Sequence, residues 1–458
     1  MSVTVRMTCV ILSVVDLAGC AVGTAIDDVN LASEHDDVAS TSSFDPEVKQ
    51  TPASFDVTDA APRGLGFASG VRVDDAGVGL SSDAASTPSS APETILIGVD
   101  AATPAASASG APVDATRPVS APASPAADAS ALAPATGAAA AATCVVPAEA
   151  TLADVSKPTT VVGTGSPASC TSSAFVAAVE KGGIITFNCG SAPATIKLDR
   201  TARVFNDRSQ RVVIDGGNKV TLSGGGKVRI LYQNTCDEDL VWTTEHCDNQ
   251  EFPQLTVQNL TFENGNAKGS GEGGGAIYAS GGRVKVLNSR FYGNVCDDTG
   301  PNVGGGALRV LQQYNGQPVY IVGSTFGSDQ AHGNVCSNGG AVSGLGVSLT
   351  VLNSAFLYNR AIGRGASPAA AGTPGGGSGG AIFANGNNIP LSLCGANIEH
   401  NDANEGGGAL FYVSNDRSSS VTIDRSTLRT NKSGKFENFP GMFVQAKQDP
   451  AVSSSTLQ

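Results

Sequence analysis

Apolar and polar positions in the second half of the chain recur in a fixed order. Each unit has a short alternating strand, a turn at Asn or Gly, a Phe or other apolar residue, and an Asn three positions later. A glycine-rich stretch then leads into Gly-Gly-Ala and another apolar residue. LTVQNLTFENG runs to GGGAIYA, VKVLNSRFYGN to GGGALRV, and VYIVGSTFGSD to GGAVSG. LTVLNSAFLYN runs to GGAIFA, LSLCGANIEHN to GGGALFY, and a degenerate sixth unit reads VTIDRSTLRTN then PGMFVQ. The alanines after the glycines are Ala276, Ala307, Ala341, Ala381 and Ala409, spaced by 31, 34, 40 and 28 residues. A period near thirty marks a solenoid, in which each unit buries its apolar face only against its neighbours.

Period-two strands of this length do not fold alone. Stacked as coils about 4.8 Å apart, they pair edge to edge and place like residues in rows. Phe262, Phe291, Phe326 and Phe356 would then fill the interior, continued by Ile398 and Leu428. The small Ala after two glycines suits a tight turn inside a narrow prism. The pattern predicts an all-β fold, a right-handed parallel β-helix of about nine coils. Asn259, Asn288 and Asn353 share one phase of the unit. Asn294, Asn359, Asn401 and Asn431 share another, with Asp329 taking that place once. Asn tolerates left-handed turns and its amide bonds along a stack, so both rows read as structural.

Upstream, TSSAFVAAVEKGG reads as a capped amphipathic helix with Phe175, Val176 and Val179 on one side and Gly182 as its stop. It would plug the N-terminal end of the prism. IITFNC, TIKL, RVVIDGG and KVTLSGGG follow as the first coils, with Asp215 as a turn residue.

Charge divides the chain into three parts. Residues 1–20 have Arg6 ahead of an apolar stretch, Met7 to Val15, of signal-peptide length. Leu17-Ala18-Gly19-Cys20 then resembles a bacterial lipobox, which implies a lipid on Cys20 and a membrane anchor. Ala21 in place of Asp is compatible with sorting to the outer membrane. Residues 21–143 hold 16 Asp/Glu against 4 Lys/Arg and 11 of the 23 prolines. Too few large apolar groups remain there to offset backbone ordering, so a disordered linker reaching roughly 60 Å is expected. Residues 144–458 carry 46 of the 56 glycines and a nearly balanced 23 basic and 24 acidic residues. The net charge of −13 therefore belongs almost wholly to the linker. With no basic tract, a nucleic-acid partner is excluded.

Eight cysteines lie in the body of an exported chain, where disulfides are the default. Cys170 and Cys189 flank the helix and first strand. Cys236 and Cys247 close a short loop. Cys296 and Cys336 each follow Gly-Asn-Val on neighbouring coils. Cys144 and Cys394 remain without an assignment.

Chemistry concentrates in the loop CDEDLVWTTEHC, with Asp237, Glu238, Asp239, His246 and the single tryptophan, Trp242. An indole stacks on a sugar ring, and carboxylates bond hydroxyls or hold calcium. Asp297-Asp298, after Cys296, is a second acid pair. His332 and His400 stand isolated, and no nucleophile–base pair or phosphate loop is present. No catalytic residue and no resident metal ligand are assigned; calcium is the one cofactor the acids would suit.

The GGA-[ILV] and Fxx[ND] pairs resemble the repeats of chlamydial polymorphic outer-membrane proteins over residues 255–445. That resemblance implies a surface protein or adhesin. The family's C-terminal membrane barrel does not follow in this sequence, and the lipid would serve as anchor instead. The stretch through VIDGG is similar to the start of pectate-lyase-like β-helices, but the vWiDH and RxPxxR lyase motifs and the hydrolase NTD, G-H-G and RIK set are absent. The expected function is a lipid-anchored protein of the bacterial outer membrane or cell surface, displaying its β-helix for adhesion or glycan binding without catalysis. The alternative is a calcium-dependent polysaccharide lyase, which needs acids and a base converging across two or three adjacent coils. A third class is a subunit of a fibre-like assembly.

Overall fold

A computed structural model describes residues 143–458. The export signal, the lipidation candidate Cys20 and the linker through residue 142 lie outside the described residues. Three parallel sheets wrap one core. The long sheet climbs ten rungs, from Thr160–Val162 and Gly183–Phe187 up to Val421–Asp424 and Ala451–Ser453. An eight-stranded sheet runs from Ala202–Val204 through Leu231–Asn234, Ile277–Ser280 and Leu308–Leu311 to Met442–Gln445. A three-stranded ribbon of Val335–Cys336, Arg360–Ala361 and Asp402–Ala403 closes the third side. The fold is a parallel β-helix.

The helix Ser172–Lys181 starts at Thr171, whose side chain accepts the Ala174 N–H at 3.2 Å, and stops at Gly182 with φ 76°. Phe175, Val176, Ala178 and Val179 are its buried residues. It packs on the strands Thr160–Val162, Gly183–Phe187 and Ala202–Val204, and so covers the first rungs.

Stacking is set by the repeat. Phe262, Phe291, Phe326 and Phe356 lie ring on ring at 4.8, 4.5 and 4.8 Å, within 5° of parallel. Ile398 and Leu428 continue the row in register. The glycine pairs have two separate reasons. The first glycine takes a left-handed φ, as at Gly339 (52°) and Gly379 (74°). A Cβ on the second would run into the carbonyl of the glycine one rung on, as Gly340 would meet Gly380.

From Gln254–Glu263 upward, seven rungs of the long sheet each bend at a single left-handed residue: Asn259, Asn288, Gly323, Asn353, Gly395, Arg425 and Ser454, with φ between 46° and 64°. This explains the first Asn phase, since Asn and Gly adopt that conformation most readily. The residue after the bend is a buried serine in four rungs, Ser289, Ser324, Ser354 and Ser426. Each of the first two donates its N–H to the next serine's hydroxyl, both at 3.1 Å.

The second Asn phase is an internal amide ladder. Asn294, Asn334, Asn359, Asn401 and Asn431 pass Nδ2–H to the next Oδ1 at 2.8–2.9 Å. Each Oδ1 also accepts the backbone N–H of the preceding Asn. Asp329 is not in this row. The loop from Gly327 to Gly333 lengthens its rung, Asn334 enters the ladder, and Asp329 stays exposed. The reason is energetic: a carboxylate has no N–H to pass on and would carry a charge into the core.

Candidate functional site

The loop between Cys236 and Cys247 is closed by their disulfide at its base. Leu240 is buried and its carbonyl accepts the Asn206 N–H at 2.9 Å, so the loop is pinned in the middle. The next residue, Val241, sits at φ 69°, a strained conformation for a β-branched side chain. This turn puts Val241 and Trp242 outward, 38% and 53% exposed. Glu238, Asp239 and His246 are also exposed.

Asp237 is half-buried and faces the eight-stranded sheet. Its Oδ1 accepts the Asp239 N–H at 3.0 Å and its Oδ2 lies 3.4 Å from Arg203 Nη2. Asp239 Oδ2 is 3.9 Å from the same nitrogen. Arg203 in turn lies over the Tyr232 ring at 5.6 Å. Tyr232 stacks on Tyr278 of the next rung at 5.1 Å, and Arg229 stands over both rings, 5.2 and 5.1 Å away. Burial raises both phenols, Tyr278 to about 12, so each is a hydroxyl and not a base at neutral pH.

Arg229 is committed to the structure. It donates to the Gly273 and Gly274 carbonyls, to Ser270 Oγ, and to Glu272 at 2.9 Å. The glycine loop it holds is gripped from its other side by Asp297, which accepts the N–H groups of Gly269 (2.6 Å) and Gly271 (2.9 Å). Asp298 pairs with Lys268 Nζ at 2.7 Å. The two acid groups seen in the sequence are therefore joined by one network running from Asp298 through residues 268–274, Arg229 and Tyr232 to Arg203 and Asp237. Further along the same outward row lies Arg309, 3% exposed, bonded to Ser343 Oγ (2.5 Å) and the Asn302 carbonyl (2.6 Å). Burial lowers it to about 10.

Other sequence candidates have structural settings. Asp215 accepts from Gly217 N–H, Gln258 and Asn259, as a turn residue does. His332 is not isolated: its Nδ1 is 2.8 Å from Asp329. His400 stacks on Tyr358 at 4.8 Å. Among the described residues, three metal-donor atoms converge only at Cys144, Cys394 and Asp424, and there the sulfurs are spent in a disulfide. The acids of the 236–247 loop do not converge in this way.

The cysteines pair as Cys170–Cys189, Cys236–Cys247, Cys296–Cys336 and Cys144–Cys394. The last joins residues 250 apart. From Cys144 the chain runs as a strap over the outer face of the long sheet. Ala150 packs with Leu287, Tyr320, Val322 and Leu352, and Ala153 exchanges two hydrogen bonds with the Gln258 amide.

Arg203, Arg229, Tyr232, Tyr278 and Arg309 were not singled out from the sequence. Tyr278 and Arg309 occupy the second position after the repeat alanine, which alternation points outward, and Tyr232 stands in register with them one rung earlier. Five polar or aromatic residues in that register, Tyr278, Arg309, Ser343, Phe383 and Phe411, are the signal that marks the row. No family model matches the chain, and no curated protein or solved structure matches it either.

Proposed function

We propose that this chain is a lipid-anchored cell-surface protein that binds an extracellular glycan through the Cys236–Cys247 loop, without catalysis. The observation that carries the reading is Trp242. It is more than half exposed beside an exposed Val241, on a loop held by a disulfide and a buried Leu240. An indole carried on a pinned backbone stacks on the apolar face of a sugar at reduced ordering cost, and carboxylates of the same loop accept hydrogen bonds from sugar hydroxyls. The loop has four acids and no Lys or Arg, so its ligand is a neutral or amino sugar. The lipobox-like residues through Cys20, the linker, and the repeats resembling polymorphic outer-membrane proteins support the surface placement. The test is a glycan array with the protein and its Trp242→Ala variant.

One observation favours the lyase reading. Two ion pairs, Arg203 with Asp237 and Arg229 with Glu272, flank Tyr232 beside three successive rungs of the eight-stranded sheet, the clustering that an active site of the pectate-lyase-like kind would require. It stands second because Arg229 is saturated by structural partners and both tyrosines stay protonated. Release of unsaturated uronate, with and without calcium, decides it.

A further inference from the structure

Far from the Trp242 loop along the chain, the insertion 363–377 folds into a short ribbon through antiparallel bridges of Arg364 with Gly375 and Ala366 with Gly376. Between this ribbon and the rungs of Asn404 and Phe436 lies a cavity of about 470 Å³, within the range of small-ligand sites. Two cations, Arg364 and Lys435, line it, and among the described residues neither has a carboxylate partner. Lys435 lies 5.4 Å from the centre of the Phe436 ring.

The other walls are specific. Pro368 and Phe436 supply an apolar face. Asn404 spends its Nδ2 on the carbonyls of Ile362 (2.7 Å) and Gly363 (3.2 Å), which leaves Oδ1 as an acceptor. Glu405 spends Oε1 on the Gly365 N–H at 2.7 Å, which leaves its second oxygen. The cavity thus combines positive charge, an apolar wall and two positioned acceptors. A bare inorganic anion would satisfy only the first. A pyranose carrying a carboxylate satisfies all three: the acid meets Arg364 and Lys435, the ring C–H face lies on Pro368 and Phe436, and hydroxyls donate to Asn404 and Glu405.

We infer that the cavity between the 363–377 insertion and Phe436 binds a uronic acid residue of an acidic polysaccharide. This site is separate from the Trp242 loop and does not depend on that loop binding anything.

The test is calorimetric titration of the protein with oligogalacturonate, oligomannuronate and oligoglucuronate, each beside its methyl ester, and with a sulfated neutral oligosaccharide. At least one uronate should bind, with esterification weakening it about tenfold or more, since the ester removes the charge and keeps the ring. Arg364→Gln and Lys435→Gln should each weaken it about fivefold or more. Both residues are exposed, so the variants should keep the parent melting temperature. Trp242→Ala should leave this affinity unchanged. The inference is overturned if no uronate binds, if esters or the sulfated sugar bind as well as the acids, if the two cation variants bind like the parent, or if Trp242→Ala abolishes the binding.

Discussion

The side-chain amide of Asn353 brackets the main chain of Cys144. Its Oδ1 accepts the Cys144 N–H at 2.8 Å and its Nδ2 donates to the Cys144 carbonyl at 2.9 Å. Asn353 is itself a left-handed bend residue, with φ 50°. One residue thus turns its rung and clamps the end of the strap, next to the disulfide that fixes Cys144 to Cys394. The strap is thereby fixed to the flank of the β-helix, several rungs above its helical cap.

Removing that staple should loosen the strap first. A Cys144→Ser, Cys394→Ser double variant should lose about 2–4 kcal/mol, because the cross-link closes a very long loop of the unfolded chain. Hydrogen exchange should show residues 144–156 losing protection while the Asn ladder keeps its own.

The strap should also respond to acid. Glu149 is held below its ordinary value of 4.5 by its own backbone N–H and by the Tyr320 hydroxyl, which donates to it at 3.0 Å. A carboxyl lowered in the fold contributes stability that is present above its unfolded value and lost as pH falls through the lower folded value. Exchange in residues 146–153 should therefore rise below about pH 4.5, and Tyr320→Phe should remove part of that dependence.

The internal ladder should be far less tolerant than the bend. Asn359→Ala takes partners from the Asn334 N–H, the Asn334 amide and the Phe326 carbonyl, all buried. A loss of about 3 kcal/mol or more is expected in urea denaturation. Asn288→Gly, at an exposed bend position of φ 46°, should cost less than about 1 kcal/mol.

If residues 17–20 act as a lipobox, Cys20→Ser should abolish incorporation of a labelled fatty acid and release the protein from the membrane fraction. Unchanged labelling would refute the anchor.

The rows of the repeat are legible because a period of about thirty forces like residues into contact: the Phe stack and four of the five Asn in the ladder, Asn294, Asn359, Asn401 and Asn431, follow from spacing. Asp329 was misplaced because FxxN spacing is broken by a five-residue insertion, and only the core's demand for an amide selects Asn334. Cys144 and Cys394 could not be paired because the strap runs across the stacking direction, where repeat spacing carries no information. The Arg203–Tyr232 row was hidden for a different reason. Its members come from separate rungs and meet only after the turns fix register. The 363–377 cavity is likewise formed by an insertion that the repeat does not describe.

The central claim is that the Cys236–Cys247 loop binds glycan without turning it over. The most direct measurement places the protein and Trp242→Ala on a glycan array, with unsaturated uronate followed in parallel with and without calcium. The account predicts binding by the parent to glycans bearing neutral or amino sugars, loss of that binding by at least about tenfold in Trp242→Ala, and no unsaturated product. Release of unsaturated uronate, or equal binding of those neutral or amino sugars by the two proteins, would contradict it.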